Sequence, residues 1–212
     1  MAARGKFITF EGGEGAGKST QIRRLAAELE KRGIEVLCVR EPGGTELGER
    51  IRRILADTEG EPPTARPEAL LFLAARAQLV EKKLLPALER GAWVLSDRFS
   101  DSTIAYQGYG RGLPVETLER INDFACAGLK PDVTILLELP RDIALSRMRS
   151  RESASGSGPD RMELAGNAFH ARVAEGFRRL AEAEPGRFAR IDASGDEDAV
   201  WERVWKHLKP LT

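Results

Sequence analysis

The chain has 212 residues, room for one domain with at most a small insert, and its 42% hydrophobic and 31% charged residues exclude a disordered or collagen-like polymer. Lys plus Arg total 33 and Asp plus Glu total 33, so no basic excess draws the chain to a nucleic-acid polymer or a membrane surface. No run of about 18 apolar residues occurs and Met1–Lys6 carries no apolar leader core, so the expectation is a cytoplasmic protein without a membrane span.

Lys6–Phe10 is an apolar run that ends at Glu11 and enters a glycine-rich turn. Ile22, Leu25, Ala26 and Leu29 then recur at the spacing of one helix face, and Gly33 stops that helix. Ile34–Val39 reads as the next strand, and Glu46–Ala56 as a helix after a Pro-Gly-Gly turn. Pro62, Pro63 and Pro67 mark a loop before a long helix, about Glu68–Glu89, with a core stripe of Leu73, Ala77, Val80 and Leu84. Ala92–Ser96, Val133–Leu139 and Phe188–Asp192 complete the strands, each apolar at nearly every position, as strands covered on both faces are. Cys38 and Cys126 are expected as buried free thiols in a reducing compartment. The alternation predicts an α/β, three-layer domain spanning 1–212, with a five-stranded parallel sheet whose ligands sit at the carboxyl ends of the strands. Ser153–Pro159 is Ser/Gly-rich between two arginine-bearing segments and is expected as a mobile surface flap.

Gly12-Gly13-Glu14-Gly15-Ala16-Gly17-Lys18-Ser19 matches G-x-x-x-x-G-K-[ST] between a strand and a helix, and Thr20 follows. Phosphates demand many short N–H contacts, and glycine lets the backbone come that close, while the helix start adds the positive end of its dipole. Lys18 is expected to reach the β- and γ-phosphates of ATP, and the Ser19 hydroxyl to bind Mg²⁺.

Three further segments bear on what the triphosphate is used for. Asp97 and Arg98 close the third strand; they read as a Mg²⁺-water holder beside a phosphate-binding guanidinium, or equally as an ordinary ion pair. Phe72 and Arg76, four apart on the long helix, read as a base-stacking plate with a donor beside it, or as a peripheral core ring beside a solvated arginine. Arg147, Arg149, Arg151 and Arg161 flank the Ser/Gly-rich stretch and read as cations closing over phosphates, or as a solvated basic face. Rivals at this level are another nucleotide kinase and a nucleotide-dependent switch, though the Asn-Lys-x-Asp segment of guanine-nucleotide switches is missing.

Phe10-Glu-Gly-Gly-Glu-Gly-Ala-Gly-Lys-Ser-Thr20, Arg40-Glu-Pro-Gly-Gly-Thr45, Asp97-Arg-Phe99, Ala105-Tyr-Gln-Gly108, Gly110-Arg-Gly112 and Asp160-Arg-Met-Glu163 occur in that order. Together they resemble the thymidylate kinase family over nearly the whole chain. The resemblance implies a P-loop NTPase fold with a small lid at about 149–164, ATP and dTMP as substrates, Mg²⁺, and a homodimer. It implies that Glu14 contacts the acceptor's 3′-hydroxyl and Arg98 grips its phosphate. Phe72 and Arg76 would stack on and hydrogen-bond the thymine, and Thr103, Tyr106 and Gln107 would line the base and sugar pocket, with Tyr106 against the deoxyribose. Arg40, and less directly Arg50, fall on the acceptor side. The lid arginines match the bacterial-type arrangement, with Arg149 and Arg161 the leading candidates for the transferring phosphoryl group beside Lys18 and Arg98. The Ser/Gly-rich insertion before Arg161 departs from the family pattern and leaves open which of the two it is.

Overall fold

A computed structural model describes residues 4–155, 161–162 and 164–212. Asp160 and Glu163 of the Asp-Arg-Met-Glu motif, positions 156–159 of the expected flap and the side chain of Arg151 lie outside the described residues.

The chain runs β1 (Phe7–Gly12), α1 (Lys18–Lys31), β2 (Val36–Arg40), α2 (Glu46–Ala56), α3 (Ala65–Leu79), a π-helical stretch Val80–Leu84, α4 (Leu85–Glu89) and β3 (Trp93–Asp97). It continues as α5 (Ser100–Thr103), a second π-helical stretch Ile104–Gly110, α6 (Val115–Cys126), β4 (Val133–Glu138), α7 (Arg141–Ser155), α8 (Asn167–Ala183), β5 (Phe188–Asp192) and α9 (Glu197–Leu208). The five strands are parallel in the order β2-β3-β1-β4-β5, the sheet the alternating pattern predicts.

Side chains on β1 alternate between two cores, as a pleated strand requires. Ile8 and Phe10 pack with Leu25 and Leu29 of α1 and Val204 and Leu208 of α9. Phe7 points the other way, into Leu79, Val80, Leu84 and Leu88 of the long helix and Phe99. Each fully buried leucine of this kind stabilises the layered packing by roughly 1.5–3 kcal/mol.

Three local expectations change. Coverage on both faces holds for β1 but not for the edges: β2 is only half-buried, and Cys38 on it is exposed while Cys126 is buried. A strand with a neighbour on one side only leaves room for solvent around its side chains. The long helix begins at Ala65, so Pro67 belongs to its first turn rather than the loop; there the missing N–H has no intrahelical partner to lose. Arg76, placed beside the core stripe by sequence, is among the largest fully buried side chains, whereas Ala77 of the expected stripe is only half-buried.

The sheet order brings the functional strand ends together. Phe10 of β1 and Arg40 of β2 both pair in register with Asp97 of β3. The turns after β1, β2 and β3 therefore open onto one edge, where ligands of parallel sheets bind.

Candidate active site

The turn after β1 is shaped by glycine. Gly12 has φ 127°, and a Cβ on it would lie 2.3 Å from the Leu137 carbonyl oxygen, so no other residue fits between β1 and β4. Gly17, φ 90°, caps α1, and the first helical bonds run from the Thr20 and Gln21 N–H groups to its carbonyl at 3.1 Å. The amides ahead of them are those a helix start leaves for an anion.

Lys18 folds back over this turn, its Nζ donating to the carbonyls of Gly13 at 2.9 Å and Gly12 at 3.3 Å. Burial, then repulsion from Arg98, holds its pKa below the ordinary lysine value. Ser19 Oγ donates to Asp97 Oδ2 at 2.8 Å, joining the helix start to the end of β3.

Arg98 sits just beyond β3 in the left-handed region, φ 72°, a conformation that costs a non-glycine residue energy and recurs at functional sites. The geometry aims its guanidinium back under the turn: Nη1 donates to the Gly12 carbonyl at 3.0 Å and to Ser102 Oγ at 3.2 Å, and Nη2 to Glu14 Oε1 at 2.5 Å. It also lies 4.9 Å from the centre of the Tyr106 ring. Behind it Glu11, fully buried, accepts from the Phe99 N–H at 2.8 Å and the Ser102 hydroxyl at 2.6 Å. Burial, and then the nearby Asp101, push the Glu11 carboxyl up to about 7.

A cleft of about 1090 Å³ opens from this point, larger than most single-ligand pockets. Phe72, Arg76, Thr103, Tyr106 and Gln107 line one half together with Arg40, which pairs with Glu49 at 3.0 Å. Lys18, Ser19 and Thr20 line the other half, with Glu14 and Arg98 between. Most of the sequence-chosen residues thus converge; Arg50, which is exposed, and the two lid arginines Arg149 and Arg161 lie off the cleft wall. Arg76 is differently employed from the expectation that it offers a donor to a base. Its Nε donates to Glu41 Oε2 at 2.8 Å, Nη1 to Thr103 Oγ1 at 2.8 Å and Asn122 Oδ1 at 2.6 Å, and Nη2 to the Phe99 carbonyl at 3.0 Å, with Nη2 also ion-paired to Glu41 Oε2 at 2.6 Å. Each nitrogen of the guanidinium already has a partner, so a base bound here shares or displaces one of these acceptors. Burial raises the Glu41 pKa, with Arg76 opposing.

A family model described as thymidylate kinase matches residues 10–204. The chain belongs to the thymidylate kinase family. It is 48% identical over 198 residues to a thymidylate kinase of Alkalilimnicola ehrlichii, covering 93% of this chain and 89% of that one. It is 49% identical over 201 residues to that of Solidesulfovibrio magneticus, covering 94% and 96%, and 46% identical over 204 residues to that of a Synechococcus strain, covering 96% and 94%.

Sequence reasoning missed several residues of this thymidylate kinase family site. Arg23 and Arg52 line the cleft, and Arg52 donates to the Pro42 carbonyl at 3.2 Å. On the Lys18 side, Gly195, Asp196, Glu197 and Val200 form a wall with Arg147, whose Nη2 donates to the carbonyls of Ala193 at 3.2 Å and Gly195 at 2.8 Å. Arg147 was among the arginines the sequence singled out beside the Ser/Gly-rich stretch, whereas the loop after β5 offered no signal. Arg149 is exposed on α7, which continues to Ser155 through the first part of the expected lid. Arg161 lies off the cleft wall, ion-paired with Glu68 at 2.9 Å.

Proposed function

We propose that this enzyme moves the γ-phosphoryl group of ATP onto dTMP, giving dTDP and ADP for dTTP synthesis. One observation carries the reading: Lys18 Nζ and Arg98 Nη1 approach the same Gly12 carbonyl, at 3.3 and 3.0 Å. A cation suited to a triphosphate and a guanidinium suited to a monophosphate meet at one point of a cleft roomy enough for both nucleotides. That is the arrangement an end-on transfer needs.

Ser19 and Asp97, two hard oxygen donors 2.8 Å apart at the cleft floor, fit a Mg²⁺ ion. Bound there, it would neutralise charge on the triphosphate. The chain's own residues do the rest by positioning. The amides of Gly13–Ser19 and Lys18 hold the donor phosphates, and Arg98 orients the acceptor phosphate. Phe72 offers its ring to the base, with Thr103 and Gln107 at its edge, and Tyr106 packs against the sugar. Glu14 is held by Arg98 where it meets the sugar hydroxyl. Arg40 supports the acceptor side. Phosphoryl transfer through a loose transition state asks little covalent chemistry of a protein, and an acceptor phosphate largely ionised at neutral pH needs no general base. In this reading about 149–164 is a lid of a single kinase domain, and Arg149 is the arginine it brings to the transferring group.

Two broader parts of the reading have their own support. Phe124 on α6 is 87% exposed and Leu70 on the adjoining α3 is 59% exposed, an apolar face suited to a homodimer. A cytoplasmic setting keeps the exposed Cys38 thiol reduced; among the described residues no helix is long and apolar enough to cross a membrane.

A coupled ADP-release assay across nucleoside monophosphates tests the proposal. dTMP should give the highest kcat/KM, and ADP release that is equal without any monophosphate would refute it.

A further inference from the structure

The carboxylate of Glu68 has no part in the chemistry above, yet it gathers segments far apart in sequence. It stands at the start of α3 and is 1% exposed. Oε1 accepts from Gln107 Nε2 at 2.9 Å and Arg111 Nε at 3.1 Å, and Oε2 accepts from Arg111 Nη2 at 3.0 Å and is ion-paired with Arg161 Nη1 at 2.9 Å. Three hydrogen bonds and one ion pair leave both oxygens occupied. Among the described residues, the Arg111 and Arg161 guanidinium groups share this single negative charge.

Arg161 is gripped at a second point. Its Nε donates at 3.1 Å to the Leu55 carbonyl, at the negative end of α2, while its Nη2 is buried without a hydrogen bond. Its side chain is 13% exposed. Leaving this place for a phosphate would take one of two cationic partners from a buried carboxylate, an unfavourable step even with Arg111 still in place. The next residue, Met162, lines the cleft, as does Gln107.

We infer that Glu68 is a positioning residue for the acceptor nucleotide: it fixes Gln107 from behind and, by clamping Arg161, sets Met162 against the acceptor half of the cleft. Arg161 accordingly serves acceptor binding and does not touch the transferring phosphoryl group. The inference rests on the dTMP kinase reading.

The experiment measures steady-state kinetics, varying dTMP and ATP separately, for the wild-type enzyme, Arg161→Met, Arg161→Lys, Glu68→Gln and the double variant Glu68→Gln/Arg161→Met. Arg161→Met is expected to raise the KM for dTMP about tenfold, with kcat within about threefold and the KM for ATP unchanged. Arg161→Lys should recover part of the loss. The double variant should resemble Glu68→Gln alone, because the two residues act as one unit. A merely structural role would lower the active fraction, and so kcat, without moving KM. A fall in kcat of about 100-fold with dTMP KM unchanged in Arg161→Met would overturn the inference and put Arg161 at the phosphoryl group. Additive KM effects in the double variant would overturn it too. If Glu68→Gln does not fold, the two Arg161 variants decide alone. A wild-type enzyme that turns over no dTMP sinks the functional reading and this inference with it; an active wild type whose variants keep their dTMP KM sinks the inference only.

Discussion

Arg98 is held by its surroundings as the acceptor-phosphate role proposed for it requires. Its left-handed backbone and its bonds to Gly12, Ser102 and Glu14 give the guanidinium one direction to point. Arg98→Ala should lower dTMP-dependent turnover by roughly 10³-fold, with the fold retained by circular dichroism; near-normal turnover would remove Arg98 from the mechanism. Glu11 makes a second prediction. Its carboxyl titrates near 7 in the folded protein against an ordinary 4.5. Below the lower value it is protonated in both folded and unfolded chains; between the two only the folded chain holds the proton. The stability it contributes is therefore lost as pH rises through that window and then levels off. Denaturant titrations between pH 5 and 8 should show that decline, and Glu11→Gln should flatten it. An unchanged slope in the variant would place the titration elsewhere. At this scale the phosphate turn was legible because its residues are contiguous. The Arg76 network was not, since Glu41, the Phe99–Thr103 turn and Asn122 reach it from three separate segments.

Among the elements, the Tyr-Gln-Gly segment departs most from expectation. Sequence patterning assigned it no element, yet Ile104–Gly110 winds as a π-helix, placing Tyr106 and Gln107 on the cleft wall. Such wide turns recur at functional sites, and nothing in residue type announces them. Its end is tightly packed against α8: a Cβ on Gly110 would stand 2.6 Å from the Phe169 ring. Gly110→Ala should therefore destabilise by about 1–3 kcal/mol, lowering the melting temperature by roughly 2–12 °C, and should weaken dTMP binding more than ATP binding. An unchanged melting temperature would show that Phe169 yields freely. The strands and α2 were readable because their patterns are local and uninterrupted. The start of α3 was misread because Pro67 looks like a breaker but sits where a helix tolerates it.

For the whole molecule, strand and helix alternation carried the architecture, since parallel sheets require helical crossovers. Which strands lie at the edges was not written in composition, and Cys38 was misjudged for that reason. The exposed Phe124 belongs to this scale as well. The proposed homodimer predicts a dimer for the wild type in sedimentation velocity at micromolar concentration and a monomer for Phe124→Glu; a monomeric wild type would end that proposal, and an unshifted dimer would move the interface elsewhere. The most direct test of the whole account follows the label from γ-³²P-ATP in the presence of dTMP. The account predicts that it appears in dTDP, with little inorganic phosphate. Label released as phosphate at the same rate with or without dTMP would contradict it.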